Sequence, residues 1–286
     1  MRVLITGANG QLGSVMVRAF GDADVIAHTR TSLDITDASA VARAVEDSSP
    51  DIVVNCAAFN DVDGAESAPL DALAVNAFAV RSLARAAANA GAVLVHYSTD
   101  FVFDGRASSP YDEQATPSPQ SAYAVSKLLG EWFALDTPHG LVLRVESLFG
   151  SPPSWTGRRG TLDRLVAGLE ERRELRVFTD RIVSPSYTAD VAAATRYLVE
   201  MEAPHGIYHC VNEGQATWYA IVLEAATILG VTPALVPIEM DQMPLKAARP
   251  RYCALSTQKL RSAGFAMPTW QDALRRWLRA RRTPTT

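Results

Sequence analysis

Cysteine is scarce in this sequence: Cys56, Cys210 and Cys253 are the only three in 286 residues, and they lie far apart with no CxxC spacing. That excludes a disulfide framework and a cysteine-built zinc site, and it fits a reducing compartment. Long apolar runs are missing as well, since none approaches the ~18 residues of a membrane span. The chain opens on MRVLITG, already strand-like, which leaves no room for a signal peptide; a cytoplasmic protein is expected. There is no excess of positive charge. Lys and Arg number 27 against 31 Asp and Glu, a net charge of −4, which argues against nucleic acid or an acidic membrane as partner. The basic run DALRRWLRARR at 272–282 reads as a helix with an apolar stripe of Leu274, Trp277 and Leu278 and its arginines in solvent. His205 and His209 are four apart but flank Gly-Ile-Tyr in an expected strand. That spacing makes no metal-binding helix face, and no metal site is expected.

What the sequence does hold is alternation. RVLIT (2–6), DVIAH (24–28), DIVVNCA (51–57), AVLVHYS (92–98) and GLVLRV (140–145) are short apolar runs rich in branched residues. Such runs suit parallel strands buried on both faces. Helical patterns lie between them, among them the alanine-rich LDALAVNAFAVRSLARAAANAG, whose Gly91 suits a helix end. The expected fold class is therefore α/β, a doubly wound parallel sheet of Rossmann type. From the break SPPSWTGRRG onward the segments become shorter, and GIYHCVN, ATWYAIVLEAATILG and TWQDALRRWLRA read as a smaller mixed α/β lobe. The expected division is a dinucleotide-binding domain of residues 1–150 plus 183–205, and a substrate lobe of 151–182 plus 206–286.

Three groups of residues fall at the carboxyl ends of the strands, where ligands of open α/β sheets bind. The first is TGANGQLG (6–13), whose Gly7, Gly10 and Gly13 let the backbone turn sharply and approach a pyrophosphate. At the end of the second run, VIAHTRTSLDITD places no acid for a ribose 2′-hydroxyl but sets Arg30 close behind, which favours NADPH over NADH. The competing reading is a solvated surface arginine. Asp34 and Ile35 follow where an adenine could rest. The second group is Ser98, Thr99 and Asp100, which singly read as turn caps. The third is Tyr123 and Lys127 in SAYAVSKLLGEW, four apart on one helix face. Hydride transfer to a carbonyl leaves an oxyanion that needs a proton; a tyrosine perturbed by a lysine can supply it, and a threonine hydroxyl can hold the oxygen in line. In the second lobe, Arg249 of KAARPRY precedes Pro250, which biases it toward extended backbone and suits a donor to a diphosphate; a solvated surface arginine is the equal alternative.

The chain resembles the extended short-chain dehydrogenases/reductases, and within them the dTDP-4-dehydrorhamnose reductase family. The motifs that carry this span nearly the whole length: TGANGQLG, NCAAFNDVDGAES, HYSTDFVFDG, YDEQATPSPQSAYAVSKLLGE, TDRIVSPSYTADVA, GIYHCVNEGQATWYA and the ARP of 248–250. The resemblance implies Thr99, Tyr123 and Lys127 as the catalytic set, with Asp100 at the sugar. It puts Gly7, Asn9, Gly10, Gln11, Leu12 and Gly13 at the cofactor phosphates, with Asp34, Ile35, Ala57, Ala58, Asn60 and Tyr97 lining the rest of the cofactor cleft. The implied activity is reduction by NADPH, or else NADH, of a nucleotide-linked 4-keto deoxysugar, with dTDP-4-dehydro-L-rhamnose foremost. After the fifth run the family commonly has RTSWVYG and this chain has Arg144-Val-Glu-Ser-Leu-Phe-Gly. A tryptophan at the sugar thus becomes Ser147, and Glu146 adds a carboxylate. Two alternatives stay open: a non-catalytic NADP-binding regulatory subunit, which the same family includes, and a reductase or epimerase for another activated sugar. A homodimer and a metal requirement are left open too.

Overall fold

The computed structural model describes residues 1–150 and 160–282; most of the SPPSWTGRRG break lies outside them. In chain order the first half is β1 (Arg2–Thr6), α1 (Gly13–Ala19), β2 (Asp24–His28), α2 (Ala38–Ser48), β3 (Ile52–Asn55), α3 (Val62–Ser67), α4 (Pro69–Leu73), a π-helical turn (Ala74–Phe78), α5 (Ala79–Asn89), β4 (Val93–Thr99), α6 (Ala122–Leu135) and β5 (Gly140–Val145). The second half is α7 (Thr161–Glu170), β6 (Leu175–Phe178), β7 (Ile182–Val183), α8 (Thr188–Glu200), β8 (Gly206–His209), β9 (Ala216–Thr217), α9 (Trp218–Leu229), β10 (Leu235–Ile238), α10 (Gln258–Ser262) and α11 (Trp270–Arg282).

Six strands pair in parallel in the order β2-β1-β3-β4-β5-β8. Every residue of β3 and β5 is buried, as continuous apolar runs in a two-sided parallel sheet must be. One face packs Val3, Ile5, Val95 and Leu143 against Met16, Val191 and Leu198, which docks α1 and α8 on the sheet. The other packs Leu4, Val53, Leu94 and Val142 against Val41, Val80 and Leu83 of α2 and α5. Each such aliphatic side chain contributes about 1.5–3 kcal/mol on burial. The chain leaves β1 toward β2 and returns to β3 on β1's other side, so the strand order reverses between β1 and β3, the position where α/β sheets bind ligands.

The second lobe holds two short sheets, β10 beside β6 and β7 beside β9. Its own core gathers Leu162, Val166, Trp218, Ile221, Leu274, Trp277 and Leu278, so the stripe expected on the last helix is buried. One expectation is corrected here. Gly206–His209 does not belong to the second lobe but forms the sixth strand of the main sheet, pairing with β5 from Leu141↔Gly206 to Arg144↔His209. A run of four residues is too short to distinguish from a lobe strand. The long alanine-rich segment is also not one helix: it widens into the π turn, where buried Asn76 faces the backbone of Phe59 and the hydroxyl of Ser126. No described helix is long and apolar enough to cross a membrane.

Candidate active site

At the reversal point the glycine loop follows β1 with no space for side chains. Gly7 has φ +65°, and a Cβ there would stand 2.7 Å from the Ala57 amide nitrogen. A Cβ on Gly13 would stand 2.1 Å from the Gly7 carbonyl oxygen, and one on Gly10 at 3.0 Å from the same atom. The loop closes through Gly10 N–H to the Gly7 carbonyl at 2.8 Å. Buried hydrogen bonds hold its floor: Thr6 Oγ1 donates to Asn55 Oδ1 at 2.7 Å, and the Asn55 amide meets His96 Nδ1 at 3.1 Å. Gln11 Nε2 ties the loop to the Leu148 carbonyl after β5 at 3.3 Å. These residues fit a dinucleotide's pyrophosphate, because the cradle is bare backbone.

Around the loop stand the other residues expected to line a cofactor. Arg30 is exposed just past β2. It faces Asp34, whose carboxyl is lowered mainly by hydrogen bonds from Thr36, with a smaller contribution from Arg30. Ala57 and Ala58 are half-buried and Asn60 is exposed on the segment after β3, whereas Ile35 is buried in the core beneath α2. Tyr97 points its ring away, into the core under α1 and α8, with its hydroxyl 2.7 Å from Thr195 Oγ1. What Tyr97 presents to this edge is its carbonyl oxygen, which accepts from Lys127 Nζ at 2.6 Å.

Thr99 ends β4 and α6 begins beside it. Ser121 caps α6 by accepting from Ala124 N–H at 3.2 Å, and Glu66 of α3 accepts from Ala122 N–H at 2.7 Å, so the helix start is fixed from two sides. Its first turns bury Tyr123 and Lys127, 8 % and 3 % exposed. The Thr99 hydroxyl stands beside the Tyr123 phenol and works to lower its pKa. The Tyr123 ring also meets Phe101 edge-on, with centroids 5.6 Å apart. Thr99 Oγ1 in turn donates to Asp100 Oδ1 at 2.8 Å. The phenol's acidity is corrected relative to the sequence expectation. Burial, aided by the charge of Asp100, raises it above the ordinary value, the opposite of the lowering expected beside Lys127. The ammonium is engaged by the Tyr97 carbonyl instead. Burial itself pulls the Lys127 ammonium down to about 8, opposed by the Glu131 carboxylate one turn on.

Sequence reasoning missed the supports of this helix. Glu131 and Arg144 are both 1 % exposed and form a two-pronged pair at 2.8 Å and 2.8 Å, with the guanidinium 5.0 Å from the Phe103 ring centroid. Asn76 receives Gly130 so closely that a Cβ there would stand 2.2 Å from its carbonyl. An acid and an arginine inside otherwise apolar segments were the available signal.

The remaining expected residues lie on the side of the second lobe. Ser147 is half-buried in left-handed backbone, φ 46°. Arg249 pairs Asp63 at 2.9 Å and 2.7 Å, which lowers that carboxyl to about 2. Its fork therefore faces α3 and is already engaged. Next to it, Pro250 is packed so tightly on Gly105 that a Cβ there would stand 2.5 Å from the proline Cβ. Arg181 lies 3.8 Å from Asp100 Oδ2 and stacks on Phe101 at 5.3 Å.

Comparison with known proteins adds the following. The family model described as RmlD substrate binding domain matches residues 1–283. The chain is similar to the spore coat polysaccharide biosynthesis protein SpsK of Bacillus subtilis, 35 % identical over 98 % of both chains. It is also similar to a dTDP-4-dehydrorhamnose reductase of Burkholderia thailandensis, 34 % identical over 96 % of this chain and 97 % of that one. Among solved structures, the dTDP-4-dehydrorhamnose reductase of Bacillus anthracis in complex with NADP superposes with a TM-score of 0.91, 33 % identical, covering 97 % of this chain and 98 % of that chain.

Proposed function

This chain belongs to the RmlD substrate binding domain family, and on that premise we propose that it is an NADPH-dependent reductase of a dTDP-linked 4-keto deoxysugar, dTDP-4-dehydro-L-rhamnose foremost. The observation that carries the reading is the meeting of the bare-backbone glycine loop with buried Thr99, Tyr123 and Lys127 at one sheet edge.

In this reading Gly7, Asn9, Gly10, Gln11, Leu12 and Gly13 hold the cofactor's phosphates, and Arg30 meets the 2′-phosphate. Asp34, Ile35, Ala57, Ala58, Asn60 and the Tyr97 carbonyl bound the rest of its site. When bound, the nicotinamide supplies a hydride to the sugar carbonyl. Tyr123 gives its proton to the resulting alkoxide oxygen. A phenol held protonated by burial suits that duty, since an acid must carry its proton until the moment of transfer. Thr99 orients the carbonyl oxygen through its hydroxyl, and Lys127 braces the site from the Tyr97 carbonyl. Asp100 supports Thr99 from behind, and Ser147 and Arg249 stand on the side of the sugar nucleotide. Arg249 is held extended by Asp63, so it can meet a diphosphate with the nitrogen edge that pairing leaves over.

The test is NADPH oxidation against a panel of dTDP-, UDP- and GDP-linked 4-keto sugars. Turnover with the dTDP sugars supports the reading, and silence across the panel refutes it in favour of a non-catalytic NADP-binding subunit.

A further inference from the structure

Just past β5, Glu146 is 1 % exposed in a place where no solvent reaches it. One of its oxygens accepts from the Ser184 amide at 2.6 Å, and the other, Oε1, has no hydrogen-bond partner among the described residues. Asp100 is 2 % exposed, and its Oδ2 has no hydrogen-bond partner among them either. The two carboxylates and Cys253 Sγ bring ligand atoms within 4.8 Å of one another. The groups that face them are Arg181, Cys253, Tyr123 and Tyr252. Burial holds the thiol well above its ordinary value and also raises both phenols, so all three are neutral. Among the described residues that leaves two carboxyls against one guanidinium. Both ionised would leave a net negative charge in the protein interior, with two oxygens lacking donors. A proton on the pair removes that excess charge and supplies a donor. A divalent ion does not, because it would stand beside the guanidinium that already supplies the positive charge.

We propose that Asp100 and Glu146 hold one proton between them and that the Thr99 hydroxyl links this proton to Tyr123, making the pair the store from which Tyr123 is reprotonated. The proposal rests on the reductase reading. Thr99 Oγ1 lies 2.8 Å from Asp100 Oδ1, and its hydroxyl stands beside the phenol, so the three groups form one line. The Tyr123 O–H bond breaks as its proton passes to the alkoxide. The phenolate takes the hydroxyl proton of Thr99, and Thr99 takes the proton of the Asp100 carboxyl. The pair is then two carboxylates beside Arg181, and once product has left the proton returns along the same line through Tyr123, its most exposed member. Both carboxyls are raised above their ordinary range: Asp100 by burial, against Arg181, and Glu146 by burial together with the charge of Asp100. Glu146 acts through Asp100 and is a positioning residue.

Glu146→Gln keeps an acceptor for the Ser184 amide while removing one of the two charges, which leaves Asp100 to ionise beside Arg181. The infrared spectrum of the resting protein at neutral pH should show a protonated-carboxyl band that is absent from the variant. With a 4-keto sugar and NADPH, kcat should fall about tenfold on the alkaline side, with its alkaline limb moved about one pH unit lower and KM for NADPH unchanged. Glu146→Asp should recover the band and part of the limb. A band that persists in Glu146→Gln, or superimposable pH profiles, overturns the proposal. A wild type that reduces no 4-keto sugar overturns the relay along with the reductase reading, while the band, read without substrate, still decides the shared proton.

Discussion

The glycine-loop side of the sheet edge is built from absence and the Asp100 side from crowding. On the first, Gly7, Gly10 and Gly13 keep side chains out so that backbone is laid bare, and the supporting polar groups Thr6, Asn55 and His96 are neutral and hydrogen-bonded. On the second, Asp100, Glu146, Arg181 and Cys253 arrive from four separate segments and pack together, the carboxylates and the thiol buried and Arg181 half-buried. The first side offers neutral groups and bare backbone, whereas the second gathers ionisable groups away from water. Tyr123 stands between them, beside Thr99 on the charged side and followed one turn later by Lys127, which is anchored to the backbone of β4. A site that moves both a hydride and a proton gains from this division, because rigid positioning and proton supply make opposite demands on the surrounding groups.

The largest effect expected from breaking this arrangement lies at its centre. Tyr123→Phe keeps the ring against Phe101 but removes the proton, so turnover should fall by ~10²-fold or more. NADPH affinity should be retained; single-turnover oxidation beside a binding titration separates the two. Next comes Arg249→Ala on the crowded side. It should raise KM for the sugar nucleotide by about tenfold, the size of one lost charge-assisted contact, with NADPH affinity unchanged. Unaltered kinetics would assign Arg249 to the pairing with Asp63 alone. On the bare side, Arg30→Ala should weaken NADPH by several-fold and NADH scarcely at all, since Arg30 is exposed and solvent screens its charge. Equal losses for both cofactors would make Arg30 a support of the loop.

The smallest effect is on stability. Glu146 has a folded-state pKa raised above its unfolded value, so no penalty exists below the unfolded value and the full penalty is felt above the folded one. Glu146→Gln carries no charge at any pH. Its melting temperature relative to wild type should therefore climb as the pH rises above about 4.3, where the unfolded carboxyl ionises, and go on climbing through neutrality. Each kcal/mol of penalty relieved corresponds to about 2–4 °C in a chain of this size. A constant difference from mildly acid to mildly alkaline solution would mean that Glu146 is not held protonated.

The two sides also differ in how far the sequence discloses them. The strands β1 to β5 and the loop after β1 are readable because apolar runs, glycine spacing and helix caps act over a few neighbouring residues. Tyr123 and Lys127 stand out as a helical pair, but the electrostatics that their spacing suggests are the reverse of those in the fold. Spacing says which residues are near each other and nothing about burial, and burial dominates the phenol here. Tyr97 reads as a side chain lining the cleft, yet strand alternation turns its ring into the core and leaves its carbonyl for Lys127. β8 reads as part of the wrong lobe because a four-residue strand takes its partner from tertiary packing. The Asp100–Glu146–Arg181–Cys253 cluster is the least accessible, since its members are separated by tens of residues and converge only when the second lobe closes on the sheet.

The most direct measurement follows the hydride itself. The protein is incubated with NADPH deuterated at the transferring position and with dTDP-4-dehydro-L-rhamnose, and the sugar product is weighed by mass spectrometry. The expected result is one deuterium on the ring carbon that bore the ketone, formed at a rate that collapses in Tyr123→Phe. Cofactor that binds while the sugar is recovered unlabelled and unreduced would contradict the assignment.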